Sequence, residues 1–494
     1  MDNRGQWESR TSFVLAAIGS AIGLGNIWRF PYICANNGGG AFLVAFLVAL
    51  ATAGIPILIM ELSMGHKFQK AASGTMASIK PKFEILGWIV VGIAFIITTY
   101  YAAVMSWAFK YLWDAFSLAW GENTSDFFYK DTLGLTSGPL DFGGIKISLL
   151  IGLVLTWISI VACIWKGPET VGKVVYATVF IPWIILIILV IRGVTLEGAS
   201  VGLLYYLKPT FSKLLEGKVW LAAYTQVFFS LSIGFAIMFA YGSYLPKKTE
   251  LVTNAYIVAL GDSLTAFFGG LAVFGALGYL STQTGTPITE LKASGPGLAF
   301  VVYPMIINQL PMLNTLFGIL FFLMLLTLGI DSAFSLVEGV AAAIRDKFGW
   351  SHKATNIGTA AVGFTFGLLF ISGAGLYWLD IIDYFMNFFG LALACLIECI
   401  VIGWIFKTTN VMKHVNAMPG FKIGKVWEIM IKFVAPVILS ALLLTEIIAR
   451  IKAPYEGYPR AAELMGASVM FVIIPVAAFI MTNAKAKTES ETPD

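Results

Sequence analysis

Residues 19–30 read GSAIGLGNIWRF, and the reading of this stretch decides the fold. It lies inside an apolar run, Phe13 to Ala35, that is long enough to cross a bilayer. Gly19, Gly23, Gly25, Ser20, Asn26 and Arg29 interrupt that run. Each glycine weakens a helix by about 1 kcal/mol relative to alanine. Backbone groups left unpaired in hydrocarbon cost several kcal/mol each. A membrane helix opens here only if something polar takes up the freed carbonyls and amides, and bound cations and a polar substrate do so in transporters with broken helices. Close helix packing through small residues accounts for many membrane glycines. It does not account for Asn26 and Arg29 in the same segment.

The surrounding chain is a membrane chain. Of 494 residues 58% are hydrophobic and 12% charged, with mean hydropathy +0.83. Apolar windows near 11–36, 40–64, 86–118, 145–165, 171–192, 219–244, 251–281, 313–343, 355–375, 377–406, 428–451 and 462–482 predict twelve spans. Lys and Arg gather in the segments that a cytoplasmic N-terminus places inside, among them Arg4, Arg10, Lys67, Lys70, Lys80, Lys82, Lys166, Lys173, Arg345, Lys347 and Lys353. Both termini are therefore expected in the cytoplasm. The net charge of +4 reflects this asymmetry and implies no nucleic-acid partner. Cys34, Cys163, Cys395 and Cys399 all fall in apolar windows, so no disulfide framework is expected. His66, His352 and His414 fall in separate inner loops, which argues against a metal cluster. No Gly-Lys pair is followed by Ser or Thr, so no phosphate-binding loop is present, and Trp28 breaks any dinucleotide fingerprint. The chain is not read as an enzyme.

Along the chain, the second span carries Pro56 and Glu61, and the third carries Thr98, Thr99, Tyr100 and Tyr101. Spans four and five carry little chemistry. The sixth repeats the pattern of the first: Gln226, Ser230, Ser232 and Gly234 interrupt Val219 to Tyr244. Two interrupted helices five spans apart are the mark of an inverted repeat. The expected organisation is a first repeat over 1–193, a second over 194–406 with an outer lid near 284–312, two further spans over 407–483 and a charged tail over 484–494. Asp262 and Asp331 each sit deep in apolar sequence with no Lys or Arg nearby in their spans. A cation held by carboxylate, amide, hydroxyl and carbonyl oxygens is the partner such acids want.

With these residues in view, the chain resembles bacterial members of the neurotransmitter:sodium symporter family. The stretches that carry the resemblance are GSAIGLGNIWRFP with NNGGGAF after it, GIPILIMELSMG, the Tyr100–Tyr101 pair, FFSLSIGF, GDSLTAFFGG, LGIDSAF and LDIIDYF. They span nearly the whole length. The resemblance implies an all-α polytopic fold of twelve transmembrane helices, a five-plus-five inverted repeat with helices 1 and 6 broken, working by alternating access. It implies a first sodium site from Ala21, Asn26, Ser230 and Asp262, completed by a substrate carboxylate. It implies a second from Gly19, Ile22, Leu328, Asp331 and Ser332. The substrate residues implied are Ser20, Ala21, Gly23, Leu24, Gly25, Ile97, Tyr101, Phe229, Ser230, Ser232, Phe235, Ser332 and Leu336. Arg29 and Asp383 would close an outer gate, and Arg4 and Asp346, flanked by Trp7 and Tyr244, an inner one.

Three departures refine this. Gly23 stands where amine-transporting relatives carry an Asp, so the substrate must bring its own carboxylate. Ala266 replaces a Ser that helps bind chloride in animal members, so no chloride is expected. The outer loop after span three lacks their cysteine pair. The reading is a two-sodium amino-acid symporter of the cytoplasmic (inner) membrane. Ile97, Phe229, Phe235 and Leu336 lean it towards a hydrophobic or aromatic substrate. A compatible-solute transporter on the same fold and a non-translocating sensor are the alternatives weighed.

Overall fold

The computed structural model describes residues 5–288 and 295–486. Among them the chain is helical, with two isolated β-bridges and no strand. In chain order the labelled helices are α1 (Arg10–Ala21), α2 (Gly25–Asn36), α3 (Gly40–Phe68), α4 (Pro81–Ala115), α5 (Ile147–Cys163), α6 (Pro168–Val194), α7 (Gly217–Ser230) and α8 (Ile237–Ser243), with further short helices such as Ala72–Ile79 and Ala199–Leu207 in the connections. Then follow α9 (Leu251–Thr284), α10 (Leu298–Gln309), α11 (Asn314–Phe348), α12 (His352–Phe370), α13 (Gly375–Ile405), α14 (Thr408–Asn416), α15 (Lys425–Gly457) and α16 (Arg460–Asn483). Eight of these are long and apolar enough to cross a membrane, and α1 with α2 forms a ninth, bent by 50°.

The bend falls where the glycines and Asn26 predict it. Ile22 is extended, at φ −78° and ψ 100°, between the two half-helices. The freed backbone groups are taken up one by one. Asn26 Oδ1 accepts from the Gly23 amide at 3.1 Å, and the Tyr101 hydroxyl accepts from the Leu24 amide at 3.2 Å. Ser232 donates to the Ser20 carbonyl at 3.0 Å, and Ser332 reaches the Ser20 and Ile22 carbonyls at 3.3 and 3.4 Å. A polar set from α4, α11 and the break after α7, with Asn26 of α2 itself, thus replaces hydrogen bonds that the bend gives up.

The window at 219–244 likewise divides into two helices, α7 and α8. Between them Ser232, Gly234 and Ala236 have φ of +54°, +79° and +62°. This left-handed backbone suits Gly234 and strains the other two. The Gly234 amide donates to Glu61 Oε1 at 2.8 Å, so the buried acid of α3 holds this break open. Helix α1 sits at the centre, packed against α6, α9 and α11. α15 and α16 lie at the periphery with exposed apolar side chains such as Val437, Ile451 and Phe479, as a lipid-facing surface requires. In the expected lid, Leu298–Gln309 is helical; 289–294 lies outside the described residues.

Candidate functional site

The two breaks face each other and bring two buried carboxylates to opposite sides of the α1–α2 opening. On one side Asp262 of α9, fully buried, meets Asn26 and Ser230. Asn26 Nδ2 donates to Asp262 Oδ1 at 2.7 Å, and Ser230 Oγ lies 2.9 and 2.8 Å from the two carboxylate oxygens. The three belong to α2, α7 and α9, so they meet only because both breaks bring their helix ends inward. On the other side Asp331 of α11 accepts from the Thr178 hydroxyl of α6 at 2.5 Å. Its second oxygen has no hydrogen-bond partner, nor has the buried Ser20 hydroxyl. Gly19 is in close register with this acid: a Cβ there would fall 2.2 Å from Asp331 Oδ2, so only glycine lets α1 approach. Leu328 is one turn before Ser332 on α11 and buried.

Both clusters offer only oxygen ligands: carboxylate, amide, hydroxyl and carbonyl. That donor set fits a hard monovalent or divalent cation and not a thiophilic metal. Among the described residues no three His, Cys, Asp or Glu gather as a metal-binding cluster, and the four cysteines are unpaired.

Between the clusters lies a cavity of about 30 Å³ lined by Ser20, Ala21, Gly23, Gly25, Asn26, Ile97, Tyr101, Phe229, Ser232, Phe235, Ile237, Ser332 and Leu336. Of the substrate residues expected from the sequence, Leu24 and Ser230 do not line it. Leu24 contributes its amide to Tyr101, and Ser230 turns to Asp262. Asn26 and Ile237 join the lining. The volume has room for about two waters, so seating a substrate requires Phe229 and its neighbours to part. Phe229 meets Phe235 edge-on with ring centroids 6.0 Å apart, and the Arg29 guanidinium lies 4.2 Å above the Phe229 ring.

On that Arg29 side, Asp383 is held by Tyr100 at 2.8 Å and Asn387 at 2.6 Å rather than by direct contact with Arg29. At the opposite end, Trp7 donates through its ring nitrogen to the Tyr241 carbonyl at 3.0 Å and through its amide to the Tyr244 carbonyl at 3.2 Å. Asp346 accepts from the Ala71 amide at 2.7 Å. Arg4 lies outside the described residues. Sequence reading missed one buried ion pair at this end. Arg345 and the fully buried Glu338 form an ion pair, and Tyr244 donates to Glu338 at 2.7 Å. Their seven-residue spacing, two turns on one face of α11, was the available signal.

Two further readings change. Span five is not chemically silent, since Thr178 reaches Asp331. The histidines are not all apart: His66 at the end of α3 and His414 of α14 lie 2.9 Å from each other. His66 Nε2 faces the Pro246 carbonyl at 2.9 Å and must carry the proton there, so Nδ1 accepts from His414 when His66 is neutral.

The Sodium:neurotransmitter symporter family matches residues 4–126 and 119–487. An uncharacterized sodium-dependent transporter of Methanocaldococcus jannaschii is 40% identical over 476 residues, covering 96% of each chain. The creatine transporter of Torpedo marmorata is 37% identical over 85% of this chain and 75% of its own. The human sodium- and chloride-dependent GABA transporter 2 is 32% identical over 94% of this chain and 84% of its own. A family match along nearly the whole chain and these relatives establish a multi-pass membrane transporter, not an enzyme, and the chain belongs to the Sodium:neurotransmitter symporter family.

Proposed function

We propose that this sodium symporter imports an amino acid, hydrophobic or aromatic, together with two sodium ions and without chloride, by alternating access across the cytoplasmic membrane. The observation that carries this reading is the pair of buried acids, Asp262 and Asp331, on either side of the α1–α2 opening with no Lys or Arg ion-paired to them among the described residues. Two sodium ions neutralise two carboxylates, and a zwitterion adds no net charge. Ala21, Asn26, Ser230 and Asp262 hold the first ion with the substrate carboxylate. Gly19, Ile22, Leu328, Asp331 and Ser332 hold the second.

Gly23 leaves no acid to meet an amine that lacks a carboxylate. Ile97, Phe229, Phe235 and Leu336 supply an apolar wall for the side chain. Arg29 and Asp383 form the outer gate, and Arg4, Asp346, Trp7 and Tyr244 the inner one, with both termini cytoplasmic. The arrangement is twelve spans in a five-plus-five inverted repeat and an added pair. α5, the α7–α8 pair and α12 complete the nine apolar spans to twelve.

A second reading concerns chloride. Ala266 is buried on α9 one turn after Asp262 and has no hydroxyl to hold an anion. Against this, Gln226 on α7, one turn before Ser230, is fully buried with both side-chain amide atoms unpartnered. Its NH2 group is a candidate anion donor. Binding of labelled amino acids and of their decarboxylated amines to purified protein, in sodium chloride, sodium gluconate and choline chloride, tests both points. Retained binding in gluconate, loss in choline and no binding of amines are expected. Loss in gluconate would favour the chloride reading, and amine binding would overturn the amino-acid reading.

A further inference from the structure

On the side of the bundle away from the central site, α5, the start of α6 and α12 enclose an open groove of about 1120 Å³. Its walls are apolar: Val154, Trp157, Ile158 and Val161 on one side, Ala361 and Phe364 on the other. Val154 to Cys163 is ten residues of α5, about 15 Å along a helix. That is about half the ~30 Å hydrocarbon core, so the groove has the depth of one leaflet.

One end of the groove is different in kind. Trp165, partly exposed, stands there with Lys166, Lys173 and Lys353, and the Lys353 ammonium lies 5.4 Å above its ring. An aromatic ring beside lysines is the pattern of a membrane–water boundary. The acids nearby are Glu169, shared by Lys166 at 3.7 Å and Lys173 at 3.2 Å, and Glu8, 3.6 Å from Lys173. Among the described residues, three ammonium groups against two carboxylates leave one positive charge to be met.

We infer that this groove binds one anionic phospholipid, with its acyl chains along α5 and α12 and its phosphate at Lys166, Lys173 and Lys353. The match of an apolar trough one leaflet deep to a positively charged mouth is what selects this occupant. A zwitterionic lipid fills the trough but leaves the extra charge unmet. A second copy of the chain would need a convex apolar ridge followed by an acidic rim.

Native mass spectrometry of the full-length purified protein tests this. The probes are phosphatidylglycerol and phosphatidylcholine with identical acyl chains, supplied in equal amounts. The wild type is expected to retain the anionic lipid about fivefold better, the contribution of about one basic residue near a charged lipid. The variant Lys166→Gln/Lys173→Gln/Lys353→Gln changes exposed side chains only and, with Glu8 and Glu169 left in place, is expected to lose the preference for the anionic lipid. Ala361→Trp, which fills the trough at an exposed position, is expected to lose both. Equal retention of the two lipids by the wild type would overturn the assignment. So would a preference that survives in the triple-lysine variant, unchanged lipid adducts in Ala361→Trp, or a dimer that excludes lipid from the groove.

Discussion

The Thr178 hydroxyl of α6 donates to Asp331 of α11 at 2.5 Å, and the other Asp331 oxygen has no partner. The bond ties α6 to an acid beside the α1 opening. When a cation occupies the neighbouring oxygens, the acid has a second partner; without one, Thr178 is the side-chain donor that meets it. Thr178→Val keeps the shape and removes the donor. It is expected to cost about 1–3 kcal/mol of stability in sodium-free buffer, the price of an unmet buried acceptor, and less in saturating sodium. Thermal unfolding in choline and in sodium reads the difference, with Thr178→Ser as the conservative control. An equal loss in both salts would separate Thr178 from the ion.

Asp331→Ala is expected to abolish sodium-driven uptake while the protein still folds. The carboxylate supplies the charge that a cation needs among otherwise neutral oxygens, and its removal leaves space beside Gly19. Uptake and sodium-dependent thermal shift are measured on the same preparation. Near-normal uptake with unchanged sodium dependence would remove Asp331 from the ion site.

Gly23→Asp is expected to lose the native substrate. Two like charges about 4 Å apart repel by about 4 kcal/mol at an effective dielectric near 20, roughly three decades of affinity. The structure adds a steric part. A Cβ at position 23 would fall 2.7 Å from Ser332 Oγ and 3.1 Å from the Tyr101 hydroxyl. Gly23→Ala, which carries the same clash without the charge, therefore also weakens binding and is the proper reference. Gly23→Asp affinity within about tenfold of that reference, about 1.4 kcal/mol, would mean that no carboxylate lies beside Gly23.

The His66–His414 contact predicts a pH response of α14. Burial, with His66 and Lys67 nearby, pushes the His414 pKa down to about 4. The unfolded imidazole titrates near 6.5. Between those values the detached ring binds a proton that the docked ring refuses, so docking is full above about pH 6.5 and weakens as pH falls towards 4. Hydrogen exchange of 408–416 is expected to quicken between pH 7 and pH 5, after correction for intrinsic rates. His414→Gln is expected to flatten that dependence; an unaltered dependence in this variant would assign it elsewhere.

What the sequence discloses here is what local chemistry discloses. Glycines beside Asn26 in an apolar run mark the first break, and Ser230 to Gly234 mark the second, because polar and flexible residues in hydrocarbon need a reason. Asp262 and Asp331 stand out for the same cause. Thr178 does not, since a lone threonine in a membrane helix is satisfied by its own backbone as readily as by a distant acid. Glu338 with Arg345 was overlooked beside Asp346, and His66 with His414 because 348 residues separate them. Such pairings depend on how helices are set side by side, which no single segment encodes.

The central claim is that two sodium ions travel with each amino acid, one beside Asp262 and one beside Asp331. The most direct measurement is parallel uptake of labelled sodium and a labelled amino acid into proteoliposomes, taking as substrate whichever hydrophobic or aromatic amino acid binds best. The account predicts two sodium ions per substrate molecule, uptake that persists in gluconate, and none without a sodium gradient. A flux ratio of one, or uptake that continues with no sodium present, would contradict it.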